Sequence, residues 1–183
     1  MSNSLKRFSL QILETSRLRL KPYEDKAEQR DKFIELVTDR QVMRKIDEGV
    51  YSREAAMSLW RRIFEITYPK NQFGLWAVWT KDEPRFVGSA VIKPRPEKST
   101  EWEIGYILRR DEWGRGFATE LARKLIEYGF EELNLSQIFG TVDDDNAASI
   151  RVLEKAGMTF ARYEYDDKGK FPVYRVKNLS YQS

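Results

Sequence analysis

The stretch Glu101-Trp-Glu-Ile-Gly-Tyr-Ile-Leu-Arg-Arg-Asp-Glu-Trp-Gly-Arg-Gly-Phe-Ala-Thr-Glu120 decides how the rest of this chain is interpreted. Its first part is typical of a strand that presents one apolar face, formed by Trp102, Ile104 and Tyr106. Gly114 and Gly116 then precede a run of apolar residues at helical spacing. The stretch therefore predicts a strand, a tight glycine turn and a long helix.

The glycine turn is a candidate anion site, because the first amides of a helix lack partners and the helix dipole is positive there. Gly114 and Gly116 would let the backbone approach phosphate oxygens closely. Two nucleotide motifs are excluded. No Gly-Lys-Ser/Thr triplet completes a Walker loop, and residue 119 is Thr where the dinucleotide fingerprint needs Gly or Ala. The alternative interpretation is a glycine turn that binds nothing.

Upstream of this stretch, the pattern predicts a strand, two helices and a hairpin. Ser52 is placed to cap the second helix, and Pro94 and Pro96 are expected to end the hairpin. The predicted elements are a strand at 18–21, a helix that ends near Asp39, an amphipathic helix from Ser52 to about Pro69, and strands at 75–80 and 86–92.

Downstream, strands and helices continue to alternate. The predicted elements are a strand at 137–142, a helix at 146–156 that Gly157 ends, and a hairpin of strands at 160–165 and 171–177. No repeat or linker divides the chain, and 183 residues suit one domain. The order predicts an α/β (α+β) fold, a mixed sheet with helices on its faces.

Two absences in the composition exclude whole classes of chemistry. The chain has no Cys and no His, so disulfides, thiol nucleophiles, imidazole acid–base catalysis and His- or Cys-ligated metals are impossible. No metal site is expected. If the protein is an enzyme, its proton transfers must use Glu, Asp, Tyr, Lys, a hydroxyl group or water.

The charge pattern argues against two classes of partner. The chain has 32 Lys and Arg against 29 Asp and Glu, and the charges are mixed rather than gathered in a basic stripe, so no nucleic-acid partner is expected. No apolar run approaches the roughly 20 residues that span a bilayer, so no membrane partner is expected. The start of the chain lacks a secretory pattern, and a cytoplasmic location is expected.

Three motifs resemble the GNAT superfamily of acetyl-CoA-dependent N-acetyltransferases, and the RimJ/RimL branch in particular. They are Glu103-Ile-Gly-Tyr-Ile-Leu, Trp113-Gly-Arg-Gly-Phe-Ala-Thr-Glu120 and Asn146-Ala-Ala-Ser-Ile-Arg-Val-Leu-Glu-Lys-Ala-Gly157-Met, and Leu13–Leu20 is similar as well. The resemblance covers roughly residues 12–178, which we take as the GNAT domain. Residues 1–11 and 179–183 are then terminal extensions.

The resemblance implies a cofactor site for acetyl-CoA, the acetyl donor. Two central parallel strands would splay apart, with the acetyl group in the gap between them. Ile107 and Arg109 would offer backbone hydrogen bonds to the pantetheine arm. The pyrophosphate would lie on the amides of the glycine turn, at Gly114, Arg115, Gly116, Phe117, Ala118 and Thr119. Asn146, with Ser149 nearby, would contact the pantetheine arm. The alternative role for Asn146, helix capping, does not exclude this contact.

The implied reaction is direct attack of a primary amine on the thioester. The amine belongs to a protein N-terminus or to a small molecule. Because such an amine is mostly protonated at neutral pH, a base must take its proton. Glu103 is the candidate base, often acting through a water in relatives, and Glu101 is the second choice. The alternative is that Glu103 anchors a loop or faces solvent. A backbone N–H near Leu108 would stabilise the developing oxyanion.

Of three departures from the family pattern, at Asp111, Leu153 and Met158, the one at Leu153 bears on the chemistry. Many relatives carry a Tyr general acid where this chain has Leu153, so the proton for the leaving thiolate must come from Ser149, another residue or water. This departure keeps open an alternative function, a non-catalytic acyl-CoA-binding or regulatory domain.

The acceptor is not evident from the sequence. Trp60 and Tyr68 are candidates to line its cleft, with core packing as the alternative. The loops 49–52, 69–74 and 93–100 are further candidates, because acceptor pockets in such folds are built from loops. The oligomeric state is open, and a homodimer is among the states that the resemblance allows.

Overall fold

We describe a computed structural model of the chain at residues 10–44, 46, 49–70, 73–95, 98–167 and 169–181. Within these ranges the chain forms eight strands and five α-helices. The elements are β1 (Leu13–Glu14), β2 (Leu18–Pro22), α1 (Ala27–Thr38), α2 (Arg40–Met43), α3 (Arg53–Arg62) with a π-helical turn (Ile63–Thr67), β3 (Gly74–Thr80), β4 (Phe86–Arg95), β5 (Lys98–Leu108), a 3-10 turn (Arg110–Glu112), α4 (Phe117–Glu131), β6 (Gln137–Thr141), α5 (Ala147–Lys155), β7 (Thr159–Asp166) and β8 (Gly169–Lys177).

The strands form one sheet in the order β1-β2-β3-β4-β5-β6-β8-β7. Every neighbouring pair is antiparallel except β5 and β6, which are parallel and meet where Glu103 faces Phe139. Beyond that pair β5 continues to Leu108 without bonding β6, so the two strands separate. The predicted mixed sheet with a splayed parallel pair is confirmed.

Helices cover both faces of the sheet, because side chains along each strand alternate between two cores. Trp76 and Val78 of β3 point to the core under α4 and α5, whereas Ala77 points to the core under α1, α2 and α3. On β5, Trp102, Ile104 and Tyr106 pack on the α4 side as predicted, and Ile107 packs on the α1 side. The strand β5 therefore contributes side chains to both cores.

The structure differs from the predicted elements in several places. The short elements β1 and α2 were not predicted, since two to four residues carry too little periodicity. Pro94 does not end β4, which runs on to Arg95, and the sheet register shifts between these two residues. A register shift is one of the few places where a strand tolerates proline. β5 accordingly begins at Lys98 rather than at Glu101. Pro96 lies outside the described residues.

The helix that Ser52 caps is α-helical over a shorter length than predicted. The Ser52 hydroxyl accepts a hydrogen bond from the Ala55 amide, as predicted. The helix then widens at Ile63, and the Tyr68 amide donates to the Ile63 carbonyl, five residues back. The extra residue in this turn changes the direction of the side chains that follow.

The end of α5 agrees with its prediction. Gly157 has φ of 92°, the left-handed conformation that favours glycine after a helix. Its amide bonds the Glu154 carbonyl and the Met158 amide bonds the Leu153 carbonyl, which together form a Schellman motif. β7 and β8 then form the predicted terminal hairpin.

Candidate active site

The turn that leads into α4 exposes backbone amides. Gly114 and Gly116 have φ of 74° and 80°, so both adopt the left-handed conformation that other residues reach only with strain. Gly116 is the residue that caps α4, and no side chain among the described residues caps the helix in its place. The first amides of α4 are thus available to an anion.

The side chains of this turn leave the amides as the main binding groups. The Phe117 ring is buried beneath the guanidinium of Arg17, 4.7 Å from its centroid. Ala118 and Thr119 are half-buried in the first turn of α4. The half-exposed Arg115 guanidinium lies 3.6 Å from the Glu112 carboxylate and adds positive charge beside the turn.

Glu112 fixes the position of the turn. Its carboxylate is 2% exposed and accepts from Arg85 Nε at 2.6 Å and from Arg85 Nη2 at 3.3 Å. Arg85 precedes β4, so this ion pair connects the β3–β4 hairpin with the turn before α4. No local pattern predicts this pairing, because the partners are 27 residues apart.

Glu120 fixes the other side of the same turn. Its carboxylate accepts hydrogen bonds from the Thr15 and Ser16 hydroxyls, the Arg17 amide and the Arg17 guanidinium. Partial burial alone would raise the pKa of Glu120, but the hydrogen bonds outweigh it and lower the pKa. Arg17 also donates to the Arg115 carbonyl at 2.9 Å. The β1–β2 turn therefore supports the start of α4. An acidic residue in a first helical turn was the available signal for Glu120.

A cleft of about 200 Å³ opens where β5 and β6 separate. Gly105, Tyr106 and Ile107 line one wall, and the last residue of β6 together with residues that follow it lines the other. The second wall consists of Thr141, Val142, Asp143, Asn146, Ser149 and Leu153. The structure thus brings Glu103, Asn146 and Ser149 into one cleft, as the sequence predicted.

The backbone of β5 faces this cleft through alternate residues. The Arg109 amide donates to the Val87 carbonyl at 2.9 Å, so it points toward β4. Ile107 pairs with Ser89 in the same register, so its backbone N–H and C=O groups also point toward β4. Because these groups alternate in direction along a strand, those of Tyr106 and Leu108 point toward the gap. This differs from the predicted contacts through Ile107 and Arg109. The Leu108 carbonyl accepts from the Trp113 indole at 2.9 Å, which leaves the Leu108 amide as the group directed into the gap.

The Glu103 carboxylate lies in the cleft between two cations. Its side chain is 13% exposed, and Lys93 Nζ and Arg95 Nε each lie 3.5 Å from one of its oxygens. Arg95 Nε is itself buried without a hydrogen bond among the described residues. At 3.5 Å, these two contacts with Lys93 and Arg95 are ion pairs rather than short hydrogen bonds.

Glu101, the second candidate base, is more tightly engaged. It accepts from Arg95 Nη1 at 2.8 Å and from Arg162 Nη2 at 2.7 Å. Arg95 and Arg162 also bind Glu164, and both guanidinium groups lie against the Phe139 ring. Glu101 is therefore part of a structural network below the cleft.

Asn146 caps α5, which confirms that part of its prediction. Its Oδ1 accepts from the Ser149 amide at 3.2 Å. The Ser149 side chain forms a hydrogen bond with the Tyr106 hydroxyl. Burial raises the pKa of Tyr106 to about 12, and the bond to Ser149 acts against this shift. Tyr106 was not predicted as a site residue, although it stands in the first motif. Leu153 is buried in the cleft wall, where the family pattern has Tyr.

Trp60 and Tyr68 serve the core rather than the cleft. Trp60 is 2% exposed, and its indole donates to Asp25 at 3.0 Å. The Tyr68 hydroxyl accepts from the Tyr23 amide and donates to the Leu75 carbonyl, and burial raises its pKa. Core packing, the alternative given for Trp60, is the arrangement observed.

The described residues contain neither a cluster of metal-ligand side chains nor a helix suited to a membrane. No group of three or more acidic side chains is arranged to hold a metal ion. No helix in the described ranges combines the length and the apolar character needed to cross a bilayer.

Comparison with known proteins identifies the family. Residues 17–159 match a family model described as an acetyltransferase (GNAT) domain. The uncharacterized protein YkkB of Bacillus subtilis is 35% identical over 170 residues, covering 92% of this chain and 96% of that protein. The uncharacterized N-acetyltransferase YnaD of the same organism is 32% identical over 146 residues, covering 80% and 81%.

A solved structure shares the fold. The spermidine N-acetyltransferase of Vibrio cholerae, in complex with CoA and spermine, aligns with a TM-score of 0.76 over 91% of this chain and 98% of that one, at 18% identity. The family match covers most of the chain, and the splayed strands and the open helix start agree with it. The chain belongs to the GNAT family and is an acetyl-CoA-dependent acetyltransferase.

Proposed function

We propose that this enzyme transfers the acetyl group of acetyl-CoA to a primary amine in the cleft between β5 and β6. The supporting observation is the separation of these strands beyond Glu103 and Phe139, directly beside the uncapped start of α4. One gap thus adjoins an anion-binding helix end and a carboxylate.

The residues present fit acetyl-CoA. The amides from Gly114 to Thr119 would hold the pyrophosphate, since Gly114 and Gly116 present no Cβ and a Cβ at Gly114 would meet only open space. The edge of β5 at Tyr106 and Leu108 would bond the pantetheine arm, and Asn146 would contact it from α5. When bound, acetyl-CoA supplies the acetyl group as an activated thioester.

Glu103 is the proposed base. Its carboxylate lies in the cleft beside Lys93 and Arg95, where it can accept a proton from the amine, directly or through a water. A deprotonated amine can then attack. The Glu101 carboxylate is already engaged by two arginines at hydrogen-bond distance, which makes it the weaker candidate.

Two further groups complete the proposed proton and charge handling. The Leu108 amide, directed into the gap, would stabilise negative charge on the carbonyl oxygen. Ser149, which lines the cleft, would donate a proton to the leaving sulfur, and water in the cleft would return a proton to Ser149. Ser149 would thus take the place of the tyrosine that Leu153 replaces.

The motifs Trp113–Glu120 and Asn146–Met158 support placing the enzyme in the RimJ/RimL-like branch. A protein N-terminus and a small molecule are both acceptors compatible with the cleft. A cytoplasmic location and a homodimer stay predictions.

Glu103→Gln tests the proposed base. General-base catalysis contributes roughly 10²–10⁴-fold to a rate, so kcat at neutral pH should decrease by a factor in that range. KM for acetyl-CoA should be unchanged. Since the chain has no Cys, a thiol reagent measures the CoA released without background.

Glu101→Gln is the matched control, because it makes the same change on the same face of β5. It should retain most of the activity. If Glu101→Gln loses activity and Glu103→Gln does not, Glu101 is the base. If no amine accelerates CoA release, the proposed function is wrong.

A further inference from the structure

A second cavity, of about 280 Å³, lies between the α1–α3 layer and the sheet. Its hydrocarbon lining includes Val37, Leu59, Ile63, Ile66, Phe73 and Leu75. Its volume is near the lower end of the roughly 300–1,000 Å³ typical of small-molecule sites. The cavity therefore has the size for a small ligand or a single side chain.

This cavity adjoins the catalytic cleft. Val91, Lys93, Tyr106 and Ile107 line both spaces. Of these four residues, Tyr106 lies next to Ser149 and Lys93 lies next to Glu103. A molecule seated in the cavity would thus reach the proposed site of acetyl transfer with one end.

Ser89 and Thr67 are the two buried polar residues among the described residues that line the cavity. The Ser89 hydroxyl, 5% exposed at the residue level, is hydrogen-bonded to the buried Tyr23 hydroxyl. The Tyr68 hydroxyl behind the wall is engaged by the Tyr23 amide and the Leu75 carbonyl. A ligand in the cavity therefore meets mainly hydrocarbon, and its burial is driven by the hydrophobic effect.

The charge of the lining selects against one class of amine. Among the described residues that line the cavity, the charged side chains are Arg62 and Lys93, both cationic. A second ammonium group placed there would lose its hydration without gaining a carboxylate. Polyamines are disfavoured for this reason.

We infer that this cavity is the acceptor pocket, and that it selects primary monoamines carrying an apolar or aromatic group. This inference rests on the proposed function and adds the substrate class. The predicted acceptor loops agree with it, since Tyr51, Phe73 and Lys93 each contribute to the lining.

The first experiment compares acceptors with the wild-type enzyme. Phenethylamine and hexylamine should be acetylated with kcat/KM on the order of 10-fold or more above that of spermidine, putrescine or a peptide with N-terminal Ser. Equal or higher values for spermidine, putrescine or the peptide overturn the substrate class and leave the acetyltransfer itself intact. Absence of CoA release with every amine overturns the proposed function instead.

Leu59→Asp tests whether the cavity is the selecting element. It adds a carboxylate to the lining, so kcat/KM should fall for phenethylamine and rise for spermidine. Ser58→Asp is the matched control, because it adds the same charge to an exposed neighbour on α3 that does not line the cavity. It should leave both values unchanged. Equal effects of the two variants contradict the assignment.

A second variant covers the case in which Leu59→Asp does not fold. Ile66→Trp reduces the volume of the cavity, so KM for phenethylamine should rise several-fold while KM for ethylamine, which needs little of the cavity, is unchanged. Parallel changes for both amines, or no change for either, overturn the assignment of the cavity.

Discussion

Glu112 is a buried carboxylate that depends on a single strong partner. Arg85 contributes two hydrogen bonds to it, whereas Arg115 lies 3.6 Å away. Removing Arg85 would leave the carboxylate buried and poorly compensated. The cost of such a group exceeds the modest net value of an exposed ion pair.

We therefore expect Arg85→Ala to lower the free energy of unfolding by about 1–3 kcal/mol. Arg19→Ala is the matched control, because Arg19 forms an ion pair with Glu14 in which both side chains are about 40% exposed. It should cost less than about 1 kcal/mol. Urea denaturation measures both, and equal losses would show that burial of Glu112 does not matter.

At the scale of elements, the start of α4 combines a left-handed glycine with a proposed binding role. Gly116→Ala places a Cβ at φ of 80°, which costs about 1–2 kcal/mol, and brings it to 3.4 Å from Arg17 Nη2, beside the proposed phosphate site. KM for acetyl-CoA should rise several-fold in steady-state assays.

Gly157→Ala is its control, since φ there is 92° and a Cβ meets nothing within 4 Å. It should lose similar stability with KM for acetyl-CoA unchanged. A rise in KM for both variants would mean that instability, and not the phosphate site, causes the effect.

Local patterns explain which elements the sequence predicts. The Ser52 cap, the glycine turn and Gly157 each depend on neighbouring residues, and each is found where expected. The extension of β4 through Pro94 depends on pairing with β5, and the widened turn at Ile63 depends on packing against the sheet. Neither has a signal within a short window of sequence.

The candidate site likewise has residues that local motifs predict and residues that only the folded arrangement brings together. Glu103, Asn146 and Ser149 are identified by motifs, whereas Tyr106 becomes notable only when α5 brings Ser149 to it. The register of β5 decides which amides face the gap, and it depends on β4 as a whole. The lining of the acceptor cavity comes from α1, α2, α3 with its π-helical turn, β3, β4 and β5, so no single motif describes it.

At the scale of the whole molecule, one ionic network joins distant strands below the cleft. Arg95 of β4, Glu101 of β5 and Arg162 and Glu164 of β7 are connected by ion pairs of 2.6–2.8 Å. Lys98 also contacts Glu164. Because β7 lies three positions from β5 in the sheet order, the network ties the C-terminal hairpin to the centre of the fold.

This network makes stability depend on pH. Burial alone would raise the pKa of Glu164, but hydrogen bonds from Arg95, Lys98 and Arg162 lower it from 4.5 to about 2. Between these two pKa values the unfolded chain binds more protons than the folded chain. The contribution of Glu164 to the free energy of unfolding is therefore fully present above pH 4.5 and is lost as the pH falls toward about 2. The urea concentration at the midpoint of unfolding should decrease as the pH is lowered from about 5 to 2.

Glu164→Gln should make this decrease shallower, although it lowers stability at neutral pH. Glu127→Gln, at a half-exposed position on α4, should keep the wild-type slope. If the slopes of all three proteins coincide, Glu164 does not carry the acid sensitivity.

The π-helical turn at Ile63–Thr67 has a consequence for how this enzyme family can diversify. A turn that holds one surplus residue can lose it without breaking the helix, because the remaining residues can adopt α-helical geometry. Such a one-codon deletion would rotate Tyr68 away from its hydrogen-bond partners Tyr23 and Leu75 and reshape the wall beside Leu75, while the Glu103 carboxylate on β5 stays in place. The loss of one residue from this turn would thus change the preference for the acceptor. Point substitutions with the same effect would have to repack the core.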